Sequence, residues 1–366
     1  MIGYYVHHHG NGHLMRFLSV ARELRSPVTG LGSMPRPASW SGPWVRLERD
    51  DSAGPAEVRA LDVTARGTLH WVPRHDPGLA DRTARLTSWI ADARPALMVV
   101  DVSVEVSVLA RLAGVPVVVV AMPGARWDRP HRLAYDLADA LLAPWPEGAH
   151  TAGWPDAWRR KLWAVGGVSR FDARTVPSVG PGAPVTGRDT PRRVLLVWGA
   201  GGTDVTEADV AAARAATPGW QWVERSPRSP SPDLWSELRA ADVVVTHAGQ
   251  GAVADVAAAR RPAVVVPQRR PFDEQGATAA AVERLRAGVG LRRWPRDAAD
   301  WPGLLDHALA IGGDGWARWS SGHGAADAAA RLDAMAGTAP SDGARTPGRA
   351  VHETVEARPA PARAAS

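Results

Sequence analysis

Four segments of this chain set glycines beside side chains that can move a proton, bind an anion or grip hydroxyl groups. The first is His8-His9-Gly10-Asn11-Gly12-His13. Gly10 and Gly12 let a ligand approach the backbone, and the free N–H groups of a helix starting there favour an anion or a polarised hydroxyl. His13 falls opposite the apolar stripe Leu14, Phe17 and Leu18. It therefore faces the mouth of the sheet, where an imidazole suits the work of a general base. Its plainer role is a polar cap in a glycine-rich turn. A metal held by His7, His8, His9 and His13 is disfavoured, because consecutive strand residues point to alternate sides.

The second segment, Trp198-Gly199-Ala200-Gly201-Gly202-Thr203, is a glycine-rich turn ending in a hydroxyl, a form that cradles phosphate or simply turns the chain. The third is His247-Ala248-Gly249-Gln250-Gly251-Ala252-Val253-Ala254-Asp255. Gly249 and Gly251 open a helix whose N-terminus points at a diphosphate. Asp255 lies one turn on, placed to accept from two ribose hydroxyls or, more plainly, to answer the helix dipole. Val253 and Val256 supply the buried side. The fourth segment runs from Pro267 to Gln275 and ends in Asp273-Glu274-Gln275. These three hold sugar hydroxyls, or else Asp273 caps a helix that Glu274 begins. In the first half, Asp101-Val102-Ser103-Val104-Glu105 follows a buried strand and lines the cleft. Pro123-Gly124 follows the next strand, with Arg126 and His131 beyond. Asp101 has two readings: the commoner is a helix cap, the other the carboxylate that orients His13.

The elements that position these segments alternate in period. Apolar β-branched runs at Ile2–Val6, Ala96–Asp101 and Val115–Ala121 alternate with helical patterns at Leu14–Leu24, Leu86–Ala93 and Val104–Ala113. Leu137–Ala143 leads into another short strand. A second alternation begins at Arg193. Its strands are Val194–Trp198, Trp220–Glu224, Asp242–Thr246 and Ala263–Val266; its helices are Glu207–Ala216, Leu234–Ala240, Gly251–Ala259 and Thr278–Ala287. Ala325–Met335 is a last helix. This is the pattern of parallel sheets built from βαβ units. The boundaries are a first domain over residues 1–171, a Pro/Gly-rich linker over 172–192, a second domain over 193–336 and a disordered tail over 337–366.

Composition bounds the function. With 366 residues, 45% hydrophobic, the chain exceeds one ordinary domain. It has no cysteine, which excludes disulfides and thiolate metal sites. The net charge of +5 rests almost wholly on arginine, Lys161 being the one lysine, so it reflects residue usage rather than a nucleic-acid partner. Neither a membrane span nor the basic start of a secretion signal is visible, so cytoplasmic residence is expected.

The third and fourth segments together resemble the donor-binding signature of GT-B glycosyltransferases. They are similar both to the UDP-glycosyltransferase signature and to the family 28 C-terminal domain, whose family includes the lipid-linked muropeptide N-acetylglucosaminyltransferase. Asn11-Gly12-His13, with Arg16 one turn on, resembles those families' N-terminal Gly-x-Gly-His loop. The resemblance covers both halves in the right order. It implies two Rossmann-like domains facing across a cleft, with the donor bound by His247, Gly249, Gln250, Gly251, Asp255, Glu274 and Gln275; the turn of Gly199, Gly201, Gly202 and Thr203, and Asp273, are expected to join them from their own chemistry. His13, with Asp101 behind it, is expected to serve as base, and Gly10, Asn11, Gly12, Glu105, Arg126 and His131 are expected to face the acceptor.

The implied reaction moves a sugar, with inversion, from a nucleoside diphosphate (UDP expected) to an acceptor hydroxyl. Asp255 stands where glutamate is commoner, and the base-stacking tryptophan has no counterpart near Arg225–Pro232, which leaves the base open. No Asp-x-Asp triplet occurs, so neither metal nor cofactor is expected and the nucleotide sugar is a co-substrate. A nucleotide-sugar epimerase on the same fold and a non-catalytic nucleotide-sugar-binding protein are the rival readings. The glycine loops do not fit the dinucleotide fingerprint of an oxidoreductase. The stripe Leu86, Trp89 and Ile90 reads as core packing in preference to membrane contact.

Overall fold

In the computed structural model, which describes residues 1–8, 10–51, 62–174 and 191–337, the β-branched runs form two parallel sheets. The first contains β1 (Ile2–Tyr5), β2 (Val28–Gly32), β3 (Trp44–Arg46), β4 (Leu97–Asp101), β5 (Val117–Val120), β6 (Ala140–Ala143) and β7 (Leu162–Ala164), in the order β3-β2-β1-β4-β5-β6-β7. Its helices are α1 (Asn11–Glu23), α2 (Pro77–Ala93), α3 (Val104–Leu112), α4 (Arg129–Leu137) and the short α5 (Asp156–Arg160). The second sheet has β8 (Arg192–Val197), β9 (Trp220–Arg225), β10 (Val243–His247), β11 (Ala263–Val266) and β12 (Val289–Gly290), in the order β12-β11-β10-β8-β9. Around it lie α6 (Glu207–Ala216), α7 (Leu234–Ala240), α8 (Gln250–Ala259), α9 (Glu274–Arg284) and α10 (Trp301–Ile311); α11 (Gly324–Gly337) follows. Strands β4 and β5 are buried at every residue, as parallel strands covered on both faces must be.

Helix α2 begins nine residues before the apolar spacing announces it, because Asp76 accepts from the Leu79 amide and Pro77 opens the first turn. Leu86 and Ile90 of this helix are buried in the first core and Trp89 packs against it. No helix among the described residues is long and apolar enough to cross a membrane. Strands β2 and β3 escape the sequence pattern for a steric reason. A Cβ on Gly30 would stand 2.4 Å from the Trp44 ring, so the glycines make room for the neighbouring strand's indole.

Helix α11, assigned from sequence to the end of the second domain, crosses back to the first. Ala325, Ala328, Ala329 and Leu332 join the core of Phe17, Leu18 and Val20. Its Asp333 accepts from the Arg25 and Ser26 amides just past α1. The linker positions 175–190 and the tail from 338 onward lie outside the described residues.

Each sheet has one place where the chain reverses direction across it. In the first it falls between β1 and β4; in the second, between β8 and β10. Loops leaving the carboxyl ends of such neighbours diverge to opposite faces and leave a crevice. The glycine segments after β1, β8 and β10 and the acid that ends β4 all sit at these two points.

Candidate active site

Helix α1 starts after Gly10, whose φ of 84° suits glycine. It has no side-chain cap and no acid in its first turn, so its amides stay open toward the cleft. His13 projects from that first turn, and its Nδ1 lies 2.9 Å from Oδ1 of Asp101, the last residue of β4. Asp101 is wholly buried. Burial alone would raise its pKa, but Arg16, whose Nε lies 3.3 Å from Oδ2, and His13 outweigh burial and hold the carboxyl below its ordinary range. The ionised carboxylate keeps the proton of His13 on Nδ1, leaving the Nε2 lone pair to accept one. The cap of α3 is Ser103, not Asp101. Arg16 also donates to Oε1 of Gln250 at 3.0 Å, joining the starts of α1 and α8 across the cleft.

On the facing side α8 starts at Gly249, again with no side-chain cap and no first-turn acid. His247 ends β10, and its Nδ1 accepts from the Gly249 amide at 3.0 Å. Burial, with help from Arg270, pushes its pKa down to about 4. The ring is therefore neutral, with its proton on Nε2. That nitrogen lies against the turn after β8: a Cβ on Gly199 would sit 2.5 Å away. Asp255 is buried, accepting from Ser169 Oγ at 2.7 Å and from Arg170 Nε at 3.0 Å. Burial raises its pKa despite these partners. Both switch points open into one cleft of about 820 Å³. His13, Arg16, Gly199, Gly201, Gly202, His247, Gly249, Gly251, Asp255 and Glu274 are on its walls.

Residues 231–294 match the glycosyltransferase family 28 C-terminal domain. No curated protein sequence matches the chain. Among solved structures, the glycotransferase of kitacinnamycin superposes with a TM-score of 0.62 at 17% identity, over 91% of this chain and 98% of that one. MurG of Acinetobacter baumannii superposes at 0.60 and 14% identity, over 91% and 99%. The spinosyn rhamnosyltransferase SpnG, complexed with thymidine diphosphate, does so at 0.55 and 19%, over 93% and 97%. The fold is GT-B. The family 28 match lies in its second domain.

The remaining residues singled out from sequence divide between the GT-B cleft and its supports. Gly10, Asn11, Gly12, Gln250, Arg126 and Gln275 line the cleft. Gln275 spends its amide oxygen on the Ala248 and Gln268 amides, at 3.2 and 3.0 Å. It thereby ties the end of β10 to the end of β11. Thr203 is off the wall, its hydroxyl donating to Gln268 Oε1 at 3.0 Å. Asp273, at φ 52°, is exposed and folds over Gly276. Glu105, expected on the acceptor side, is instead a brace: it accepts from the His70 and Trp71 amides and from Ser103 Oγ. An acid in the first turn of a helix is close enough to hold an adjoining loop, and here the loop takes it.

His131, also expected to face the acceptor, is buried behind the wall. Its Nδ1 faces Asp128 at 2.7 Å and its Nε2 faces Arg126 at 3.0 Å. Burial, Arg126 and His70 together lower its pKa to about 4. Arg126 in turn reaches Glu274 Oε2 at 3.0 Å, and Phe272 packs beneath its guanidinium. The Ala125 amide donates to Phe272 O at 2.7 Å. These contacts clasp the two halves of the GT-B cleft at one end. His70, Asp128 and His131 approach as closely as metal ligands do, as do His8, Asp50 and Asp51. In the first group Arg126 already donates to His131, and its charge opposes a second cation. Sequence reasoning missed Ser169 and Arg170, whose only signal is the run Gly166-Gly167-Val168-Ser169-Arg170 ahead of the linker.

Proposed function

We propose that the chain transfers a sugar, with inversion and without a metal, from a nucleoside diphosphate to an acceptor hydroxyl held against the first domain. The observation that carries this reading is the pairing of His13, backed by the buried Asp101, with an uncapped α8 start across one cleft. His13 Nε2 takes the acceptor's proton as its oxygen attacks the anomeric carbon. Asp101 stabilises the imidazolium that results. The departing diphosphate meets the open amides of α8, the Nε2–H of His247 and the turn at Gly199–Gly202, groups that supply the charge stabilisation a divalent ion would otherwise give.

Asp255 retains lone pairs for ribose hydroxyls beyond those used by Ser169 and Arg170. Glu274 has its second oxygen for the donor sugar. Beside His13 the wall is apolar, with Met15, Val102, Met122, Pro123 and Val168. This suits an acceptor with a largely apolar body, in keeping with SpnG, which is known with spinosyn aglycone as well as thymidine diphosphate. The test is a thermal-shift screen of UDP, dTDP, GDP and ADP, followed by product analysis of the matching sugar nucleotides with hydroxylated apolar acceptors. Sugar-acceptor product with release of diphosphate is expected. Donor isomerised without acceptor would point to an epimerase, and binding with no turnover to a non-catalytic receptor.

A further inference from the structure

The cleft collects five arginines: Arg16, Arg126, Arg170, Arg225 and Arg270. Four of them answer to a carboxylate. Arg16 lies 3.3 Å from Asp101, Arg126 3.0 Å from Glu274, Arg170 2.9 Å from Asp255 and Arg225 2.6 Å from Glu237. Arg270 has no carboxylate partner among the described residues. Its guanidinium donates to three carbonyls instead: Gly201 at 2.7 Å, Gly202 at 2.9 Å and Arg269 at 2.6 Å. Carbonyl dipoles satisfy N–H groups but leave the unit charge uncompensated. That charge is strapped over the glycine turn after β8, and it is close enough to His247 to contribute to lowering its pKa. Arg270 also stands on the loop after β11 that leads into Glu274 at the start of α9.

We propose that Arg270 is the cation that reads the terminal phosphate of the donor: its guanidinium, held on the Gly201 and Gly202 carbonyls, neutralises the β-phosphate between the glycine turn and His247. The assignment rests on the donor reading of the cleft given above. It explains why the other four arginines are balanced and this one is not. An anion is the missing partner, and the Nε–H and the remaining Nη1–H, which the carbonyls do not use, are left to donate to it beside the uncompensated charge. The same position favours the departing diphosphate over the bound sugar nucleotide, because the β-phosphate gains charge as the glycosidic bond breaks.

Calorimetric titration of the full chain with uridine, UMP and UDP, and with thymidine, dTMP and dTDP, separates the phosphate contribution from that of the nucleoside. For Arg270→Gln, diphosphate affinity should fall at least about tenfold while nucleoside affinity is retained. The monophosphate should lose less than the diphosphate. Arg270→Lys, which keeps the charge, should recover much of the loss, whereas for a residue that merely strapped the turn Gln, which also donates to carbonyls, should serve as well as Lys. Added salt should weaken diphosphate binding more steeply in the wild type than in Arg270→Gln. Unchanged diphosphate affinity in Arg270→Gln, or an equal loss for nucleoside and diphosphate, overturns the assignment and leaves the donor reading intact. If the wild type binds neither nucleoside nor diphosphate, the donor reading itself fails.

Discussion

Asp101→Asn is the sharpest perturbation of the proposed chemistry, because it preserves shape and removes one charge. The carboxylate is fully buried, 2.9 Å from His13 Nδ1 and 3.3 Å from Arg16 Nε. When His13 takes the acceptor's proton, a unit positive charge appears beside Asp101. At that separation and an effective dielectric of about 20, the attraction is worth about 6 kcal/mol. Asparagine removes it and leaves Arg16 uncompensated next to the new cation, so the loss falls at the upper side of the range for a general base, about 10³–10⁴ in kcat. The amide also gives no preference for the proton on Nδ1, which puts part of the population in the wrong tautomer. The assay is diphosphate release at saturating donor and acceptor, run below the melting point, since breaking a buried ion pair costs about 3–5 kcal/mol of stability. Nucleoside affinity should hold, because Asp255, the residue proposed to hold the ribose, lies on α8 of the second domain. His13→Ala should fall as far, and the double variant little further, as residues acting as a unit do. A folded Asp101→Asn protein turning over within about threefold of wild type would refute the couple as the source of catalysis.

Three further outcomes follow from particular contacts. Asp255→Asn should lower nucleoside and diphosphate affinity alike, by about tenfold, as a lost charge-assisted bond to ribose does; calorimetry showing no change would remove Asp255 from the ribose site. Gly124 has φ of 95°, and a Cβ there would stand 2.1 Å from the Phe272 carbonyl. Gly124→Ala should therefore cost at least about 2 kcal/mol in urea unfolding and loosen the interdomain clasp; an unchanged midpoint would contradict this. His131 and His247, at about 4, and His150, at about 3, are held down first by burial and then by Arg126, Arg270 and Arg284 respectively. The unfolded chain takes up their protons first, so stability is complete above about pH 6.5 and declines toward pH 4. A melting temperature that stays level over that interval would show these rings to be more open than the structure has them.

The period of the chain carried most of the architecture. Strands such as Val117–Val120 and helices such as Glu207–Ala216 are legible because β-branched runs and a capped amphipathic stretch admit few alternatives. The glycine segments were equally legible, since a helix start free of caps and acids is written in consecutive residues. Glu105, Thr203 and His131 were not. Each is a polar residue near a strand end, and whether such a residue faces the cleft or braces a loop depends on partners far away in sequence. Glu105 reaches back to His70 and Trp71, Thr203 forward to Gln268, and His131 to Arg126 and Asp128.

By itself, then, the sequence determined two runs of βαβ units, where their glycine-rich turns fall and which of those turns stand at a sheet's open end. These follow from short-range periodicity and backbone freedom. Only the tertiary structure decided that Asp101 serves His13 instead of capping α3, that Ser169 and Arg170 hold Asp255, that α11 returns to the first sheet and that Arg270 keeps its charge unbalanced. Those facts depend on distances between residues up to 308 positions apart, which no local pattern encodes, because burial and pairing are properties of the assembled packing.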